Sequence, residues 1–394
     1  MASTFPTESA SSALLDCVLG DNPWPDYLLR RALLEDDGRL LFSVVIERMG
    51  DLFEPRLCDT YARLFARVIE LLRPEMKAID LLNRYERVRQ IRPCSHRNVQ
   101  NVFVLSRVTL GADVAVTSVM LDALKRRFPT ASIYLVGSRK NQELFAADLR
   151  IQHMPYPYPR SGSLLERLNQ WGNFDLPNSI VVDPDSRLTQ LGMLPVCAED
   201  DYFFFESRAY GEESSDALPV LAARWVKEVF GNSGRAFVAP EPVEMPCDVA
   251  VSFGVGENEE KRLPDPFEEN VLRGLVERGL SVMLDKGAGG QEAQRAEVLA
   301  RRVRGVETFT GPYAPFAGMI SRAKLYVGYD SAGQHVAAAC GVPLVSVFAG
   351  YASDRMFERW KPWGPGRREI VKVTTRQPNE ILTRTMAAVD RLLS

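Results

Sequence analysis

Apolar residues recur along positions 1–95 at the spacing of amphipathic helices. The clearest stretch is YARLFARVIELLRPEMKAIDLL, Tyr61 to Leu82, in which Pro74 interrupts the periodicity. Ser12 to Leu19 and Tyr27 to Met49 carry the same pattern. The pattern predicts a helical accessory domain over residues 1–95, and this region shows no clustered catalytic side chains.

Beyond residue 95, short apolar runs alternate with amphipathic stretches. Residues 96–240 contain three predicted strands, Asn101 to Leu105, Ser132 to Val136 and Ser179 to Val182, and a predicted helix, Val114 to Phe128. Residues 246–394 repeat the alternation, with predicted strands at Asp248 to Phe253, Leu280 to Leu284, Leu325 to Val327 and Leu344 to Phe348. This alternation predicts an α/β fold of two Rossmann-like domains facing a cleft.

A candidate anion site lies in the run LYVGYDSAGQHVAAACGVP, Leu325 to Pro343. The run begins as a strand, breaks at Gly328 and continues as a helix of small residues. Between strand and helix lies a polar turn, made of Asp330, Ser331, Ala332, Gly333, Gln334 and His335. Backbone N–H groups at a helix N-terminus carry partial positive charge, so this turn predicts a phosphate site. The plainer alternative is an ordinary turn capped by the Asp and the Ser.

This stretch resembles glycosyltransferase family 9, whose best-known members are the ADP-heptose:lipopolysaccharide heptosyltransferases. Asp330, Ser331 and His335 match the family's spacing for the turn beneath the donor's diphosphate. Ala332 departs from the family pattern, which usually has Gly there, and the Gly comes one position later as Gly333.

A second resemblance follows the first predicted strand of residues 96–240, in the run SRVTLGADV and the later LKRRFP. The family has an Arg and a Leu-Gly-Asp-Val here, so the resemblance implies that Asp113 is the catalytic base and that Arg107 lies near the acceptor. Ala112 is an extra residue between Gly111 and Asp113. If the extra residue lengthens the turn, Asp113 still reaches the cleft. If Ala112 takes the family position, the base is displaced. An Asp before a helix is also a good N-cap.

A third resemblance begins the C-terminal half. The family has a Gly-bearing loop and a Lys-Arg-Trp-Pro here, which implies that Lys261 contacts the donor phosphates and that Gly256 lies near the nucleoside. Leu263 replaces the usual Trp. The run DKGAGGQE, with Gly287 and Glu292, resembles the family's nucleoside loop. A solvated charged loop is the alternative for Lys261, because surface Lys-Arg pairs are common.

Composition narrows the class of protein. The chain has 394 residues, too many for one ordinary core, and mixed charges that sum to −3, which does not suit a nucleic-acid partner. No apolar run approaches the roughly 20 residues of a membrane span, and the first residues are too polar for a signal peptide. The six cysteines are scattered without a CxxC pair, which is typical of free thiols in a reducing cytoplasm.

One run has the form of a metal motif. Asp183-Pro184-Asp185 matches the DxD by which many glycosyltransferases bind a divalent cation. It follows a strand of residues 96–240, where the resemblance places the acceptor, and the resemblance implies no essential metal. We therefore interpret it as a turn, and we expect neither a metal nor another cofactor.

The resemblance covers roughly residues 100–375 and implies a GT-B fold and an inverting transfer of a heptose-like sugar. The donor would be a nucleotide-diphosphate sugar, most often ADP-heptose, and the acceptor a glycan, lipid-linked or other hydroxyl. Asp113 would take the hydroxyl proton, and Lys261 with the turn's N–H groups would receive the leaving charge. Arg107, Arg160 and Arg208 are candidate contacts for an anionic acceptor.

Two other functions stay compatible with these residues. A nucleotide-sugar epimerase would use the same diphosphate site without an acceptor. A non-catalytic nucleotide-sugar binder would pass a signal to a partner through residues 1–95, which are also candidates for self-association. Donor consumption with and without acceptors separates the three functions.

Overall fold

The computed structural model describes residues 9–159, 162–169, 172–244, 246–256, 258–287, 289–375 and 377–394. The helices before the first strand are α1 (Ala10–Leu19), α2 (Asp26–Leu34), α3 (Glu47–Leu52), α4 (Pro55–Leu72) and α5 (Ala78–Val88). A 3₁₀ turn at Glu35–Gly38 and a π-helical segment at Leu41–Ile46 join α2 to α3. No helix in the described ranges is long and apolar enough to cross a membrane.

The next region folds as a parallel sheet. Its strands are β1 (Asn101–Leu105), β2 (Ser132–Gly137), β3 (Ile151–Pro155), β4 (Ser179–Asp183) and β5 (Tyr202–Phe204). They lie in the order β3-β2-β1-β4-β5. The helices are α6 (Leu110–Ala112), α7 (Ser118–Arg127), α8 (Arg139–Gln142), α9 (Leu164–Asn169) and α10 (Leu218–Phe230).

The C-terminal half forms a second parallel sheet. Its strands are β6 (Val249–Ser252), β7 (Val282–Asp285), β8 (Val306–Phe309), β9 (Leu325–Tyr329), β10 (Leu344–Phe348) and β11 (Arg368–Lys372), in the order β11-β10-β9-β6-β7-β8. The helices are α11 (Phe267–Glu277), α12 (Gly290–Arg302), α13 (Tyr313–Ile320), α14 (Ala332–Cys340), α15 (Asp354–Trp360) and α16 (Pro378–Leu393). The expected α/β fold with two parallel sheets and an N-terminal helical region is confirmed.

Each sheet has a point where the strand order reverses direction. In the first sheet it lies between β1 and β4, and in the second between β6 and β9. Ligands of open parallel sheets bind outside the carboxyl ends of the strands at such a point. The loops that follow these four strands are therefore the ones that the fold brings to the cleft.

The N-terminal helices cover one face of the first sheet. Tyr61 and Phe65 on α4 belong to the same buried apolar cluster as Phe103 and Leu105 on β1. Hydrogen bonds add to this packing, since the Tyr61 hydroxyl donates to the Gln190 carbonyl at 2.9 Å. The predicted boundary near residue 95 therefore does not separate two cores, because the helices supply the layer that buries this face of the sheet.

Candidate functional site

A cavity of about 670 Å³ lies where the helical region and the two sheet domains meet. The helical region contributes Arg39, Glu47, Asp51 and Phe53 to its wall. The first sheet domain contributes Arg107, Ala112, Asp185, Arg187 and Arg208, and the second contributes Lys261 and Trp360. The cavity is large enough for a sugar and its phosphates, and its wall carries more positive than negative side chains.

Backbone strain is concentrated in the cavity wall. Phe53, Val108, Asp185 and Leu191 all line the cavity and have left-handed φ angles of 56°, 75°, 68° and 57°. Non-glycine residues rarely adopt this conformation, and a β-branched valine does so least of all. Such strain persists only where surrounding contacts enforce it, and it is typical of functional sites.

Asp113 does not reach the cavity. Its side chain is fully buried. One carboxylate oxygen accepts from Arg107 N at 2.7 Å and Thr117 Oγ1 at 2.6 Å, and the other from Ser106 Oγ at 2.6 Å and Asn141 Nδ2 at 2.5 Å. Burial raises the pKa of Asp113, and these hydrogen bonds oppose the rise. The carboxylate thus fastens the loop after β1 and is closed to an acceptor hydroxyl.

The extra residue explains this placement. Ala112, not Asp113, lines the cavity, and Asp113 begins a π-helical segment, Asp113–Thr117. A π segment accommodates one added residue within a helix. The N-cap of the helix is Thr109, so Asp113 is not a cap either. Of the arrangements that the sequence left open, the structure shows the one in which Ala112 takes the cavity position.

Lys261, which the resemblance assigns to the donor phosphates, lines the cavity. Its ammonium group donates to the Asp330 carboxylate at 2.8 Å and to the Asp330 carbonyl at 3.1 Å. Asp330 follows β9 and Lys261 follows β6, the two strands at the switch point. Asp330 therefore holds the Lys261 ammonium group in place.

The polar turn begins α14, whose N-cap is Ser331 and whose first residue is Ala332. The Ser331 side chain makes no capping hydrogen bond, and Ser331 and Ala332 are only half-buried. The N–H groups of this first turn therefore retain the polarity expected of an anion site. A Cβ atom on Gly111 would lie 3.2 Å from Ala332 Cα, so the loop after β1 closes directly onto this turn.

Gln334 and His335 are buried inside the turn. The Gln334 side chain donates to Asp330 and to the Trp360 carbonyl and accepts from Ser346 Oγ at 2.5 Å. His335 packs edge-on against Trp360, and burial lowers its pKa to about 4. Both side chains order the turn, and a neutral imidazole offers no cation to a phosphate. Gly333 is fixed by packing, because a Cβ there would lie 2.2 Å from the Tyr326 hydroxyl.

The residues predicted near the nucleoside do come together. Glu292 accepts from the N–H groups of Val255 at 2.9 Å and Gly256 at 3.1 Å, and a Cβ on Gly287 would lie 2.4 Å from its carboxylate. Gly287 and Glu292 line a cavity of only about 10 Å³, roughly the space of one water. The carboxylate therefore holds two Gly-containing loops together.

The predicted acceptor arginines differ in accessibility. Arg107 lines the cavity and donates to the Pro184 carbonyl at 2.7 Å and to Ser207 Oγ at 2.9 Å. Arg208 is 3% exposed, lies 3.4 Å from Asp185 and stacks on Tyr61. Hydrogen bonds hold the Arg107 guanidinium, whereas Nε and Nη2 of Arg208 are buried without a hydrogen-bond partner in the described structure. Arg160 lies outside the described residues.

The DxD run is built into the first sheet domain. Asp183 is fully buried and accepts from Ser186 N at 2.6 Å, from the Tyr202 hydroxyl at 2.5 Å and from the Thr189 hydroxyl. Asp185 accepts from Ser207 Oγ at 2.6 Å. Within the described part of the chain, no group of three or more His, Cys, Asp or Glu residues is arranged to hold a metal.

The fold also brings to the cavity residues that no sequence motif identifies. Arg187 lines it, and its Nη1 atom is buried without a hydrogen-bond partner in the described structure. Arg39, Glu47 and Asp51 come from the helical region, where no motif pointed to chemistry. Single charged residues on amphipathic helices look like solvated surface positions, so only the tertiary structure reveals them.

Comparisons with known proteins agree with this architecture. Residues 249–387 match the family model described as Glycosyltransferase family 9 (heptosyltransferase). One curated relative, lipopolysaccharide heptosyltransferase 3 of Escherichia coli, is 30% identical over 146 residues, which are 31% of this chain and 40% of the relative. Another of the same name, from strain K12, is 34% identical over 106 residues, 25% of this chain and 28% of the relative. The match thus spans less than half of either relative's length.

Solved structures extend the likeness to the fold. The glycosyl transferase family 9 protein from Veillonella parvula DSM 2008 aligns with a TM-score of 0.56 at 14% identity, over 76% of this chain and 99% of that one. E. coli heptosyltransferase WaaC with ADP-2-deoxy-2-fluoro heptose aligns with a TM-score of 0.54 at 15% identity, over 75% of this chain and 99% of that one. E. coli ADP-heptose lps heptosyltransferase II aligns with a TM-score of 0.52 at 14% identity, over 75% of this chain and 98% of that one. The predicted GT-B fold and the resemblance to this family are confirmed.

Proposed function

We propose that this chain, which resembles glycosyltransferase family 9, moves a heptose-like sugar from a nucleotide-diphosphate donor to an acceptor hydroxyl, with inversion at the anomeric carbon. The observation that carries the proposal is the cavity between the two domains, which is lined by Lys261 and by several arginines. ADP-heptose is the first donor to test, because a similar fold is known with an ADP-heptose analogue.

The donor end is suited to a leaving diphosphate. Lys261 lines the cavity and is held by Asp330, next to the N-terminal turn of α14. Negative charge grows on the diphosphate as its bond to the sugar breaks. A fixed ammonium group and helix N–H groups stabilise that charge without reorganisation, and such preorganised donors supply much of the rate enhancement of many enzymes. We propose that this arrangement serves in place of a metal ion.

The acceptor end is suited to an anionic molecule. Arg187 presents a buried Nη1 atom without a partner in the described structure, and Arg39 and Arg107 line the same wall. A guanidinium group without its full set of acceptors favours a ligand that brings a carboxylate or phosphate. We therefore propose an anionic glycan acceptor. Partners or self-association through residues 1–95 and a cytoplasmic location remain predictions.

One observation favours a second candidate function. Asp113, the residue that the family resemblance offers as base, is buried and saturated with donors. A chain that had lost its base would bind the nucleotide sugar without turning it over. A non-catalytic binder is therefore the second candidate.

Calorimetric titration with ADP and with ADP-heptose, followed by an assay of ADP release, tests both functions. Lys261→Ala is expected to weaken ADP binding at least tenfold, the equivalent of about 1.4 kcal/mol. Lys324→Ala is the matched control, because this exposed lysine of the same domain pairs with Asp248 and does not line the cavity. Equal ADP affinity in both variants would contradict the donor site.

The same assay separates the remaining alternatives. Transfer that needs an acceptor and survives excess EDTA supports a metal-independent transferase. Loss with EDTA that magnesium or manganese restores would contradict the metal-free proposal. Conversion of the donor alone would indicate an epimerase, and binding without turnover would indicate a sensor.

A further inference from the structure

Asp51 brings a carboxylate from the helical region into the donor–acceptor cavity. It lies near the end of α3, one residue before Leu52, and its side chain is exposed to the cavity. In the described structure no hydrogen bond or ion pair holds this carboxylate. Asp51 is therefore available to a ligand in a way that Asp113 is not.

The end of α3 is fixed against the donor domain. Ser353 Oγ donates to the Leu52 carbonyl at 3.1 Å. Phe53, in its left-handed conformation, packs edge-on against Trp360 with the ring centres 6.1 Å apart. Trp360 in turn packs on His335 of the donor turn at 5.8 Å. These contacts attach the C-terminal end of α3, which carries Asp51, to the domain that contains the turn.

The charges around Asp51 suit a group that holds and releases a proton. Although the side chain opens onto the cavity, the protein around the cavity desolvates the Asp51 carboxylate and raises its pKa, and the like charge of Glu47 adds to the rise. Arg187, Lys261 and Arg48 oppose it and favour the ionised form. A carboxylate with a raised pKa accepts a proton more readily than an ordinary aspartate, and the nearby cations keep it ionised before reaction.

The other carboxylates near the cavity are poorer candidates. Asp113 and Asp183 are fully buried, and neither lines the cavity. Asp185 lines it, but its Oδ2 atom already accepts from Ser207 Oγ at 2.6 Å and lies 3.4 Å from Arg208 Nε. Glu47 lies one helical turn before Asp51 on α3 and is the competing candidate.

We propose that Asp51, contributed by the helical region, is the general base of the transfer in place of the displaced Asp113. The inference rests on the proposed function. The Asp51 carboxylate takes the proton of the acceptor hydroxyl, whose oxygen forms a bond to the anomeric carbon. The bond from that carbon to the diphosphate oxygen breaks, and its electron pair leaves with the nucleoside diphosphate beside Lys261. Atoms and charge balance without a further reactant.

The test compares full-length Asp51→Asn, Glu47→Gln and Asp16→Asn. Asp16 is an exposed carboxylate on α1, outside the cavity, and serves as the matched control. ADP affinity is measured by titration. ADP release from ADP-heptose is measured with a panel of deacylated lipopolysaccharide oligosaccharides as acceptors, across a range of pH. Asp51→Asn is expected to keep wild-type ADP affinity and to lower kcat at least about 10²-fold.

The pH profile distinguishes a base from a structural residue. The acidic limb of the wild-type rate profile is expected to disappear in Asp51→Asn, while Asp16→Asn keeps the wild-type profile. Wild-type turnover by Asp51→Asn, or a loss confined to Glu47→Gln, would overturn the assignment while leaving the transferase function intact. A wild-type chain that binds ADP-heptose but transfers nothing would overturn both proposals together.

Discussion

Replacing Asp113 by Asn separates a structural role for this residue from a catalytic one. The structure predicts that Asp113→Asn acts on stability, because the carboxylate accepts hydrogen bonds from four donors inside the first sheet domain. A catalytic base would show the opposite pattern, in which the rate falls and stability does not.

The size of the effect follows from these contacts. The Asn side chain keeps one oxygen, which accepts from two of the four donors. Its NH2 group replaces the other oxygen and therefore faces the two remaining donors. The Ser106 and Thr117 hydroxyls can turn to accept, but Arg107 N cannot, and Asn141 can do so only by giving up its contact with Ser138 at 2.5 Å. Losing one hydrogen bond to a charged group costs about 1.5–3 kcal/mol, so we expect a loss of about 2 kcal/mol.

The expected shift in melting temperature is small but measurable. For 394 residues, an unfolding entropy of about 2.1 cal/mol/K per residue gives roughly 0.8 kcal/mol per degree. A loss of about 2 kcal/mol therefore lowers Tm by roughly 2–3 °C. Scanning calorimetry measures the shift, and ADP release at a temperature well below Tm measures the rate.

A second substitution provides the control. Thr117→Val removes one donor to Asp113, Thr117 Oγ1 at 2.6 Å, and leaves the carboxylate in place. If Asp113 fastens the loop, the two substitutions lower Tm in the same direction and their effects are less than additive in the double variant. Wild-type Tm with a rate reduced about 10²-fold in Asp113→Asn would refute this reasoning and restore Asp113 as the base.

Two further predictions concern stability. Burial raises the pKa of Asp183 to about 6 from 3.8, so between these values the folded state binds more protons and loses stability as pH rises. Asp183→Asn, whose amide can face the Thr189 and Tyr202 hydroxyls, is therefore expected to flatten the dependence of Tm on pH between about 4 and 6. An unchanged slope relative to wild type would contradict the raised pKa. A chain that starts at Ser95 is expected to aggregate, because it exposes the sheet face that carries Phe103 and Leu105. Exposing each large apolar side chain costs about 1.5–3 kcal/mol of stability. A monomeric, folded product in size-exclusion chromatography and circular dichroism would contradict this prediction.

The accuracy of the strand predictions depends on position in the sheet. All predicted strands, including Asn101 to Leu105 and Leu344 to Phe348, are central in their sheets, where both faces are buried. The strands that the sequence analysis missed are the edge strands β3, β5, β8 and β11. They carry polar residues such as Gln152 and Glu307, or are only three residues long, as β5 is. An edge strand needs no continuous apolar run, so hydrophobic patterning does not reveal it.

The sequence by itself determined the α/β alternation and the helix-start turn at Ser331, because these depend on local patterns of strand, turn and helix. The proximity of Lys261 to that turn was an expectation from the family resemblance, since the two lie far apart in the chain. Only the tertiary structure decided which carboxylate enters the cavity. One extra residue, Ala112, changes which side chain faces the cleft, since each helical residue turns the chain by about 100°. Asp51 reaches the same cavity from a helix more than fifty positions earlier in the chain, through packing that no local pattern encodes.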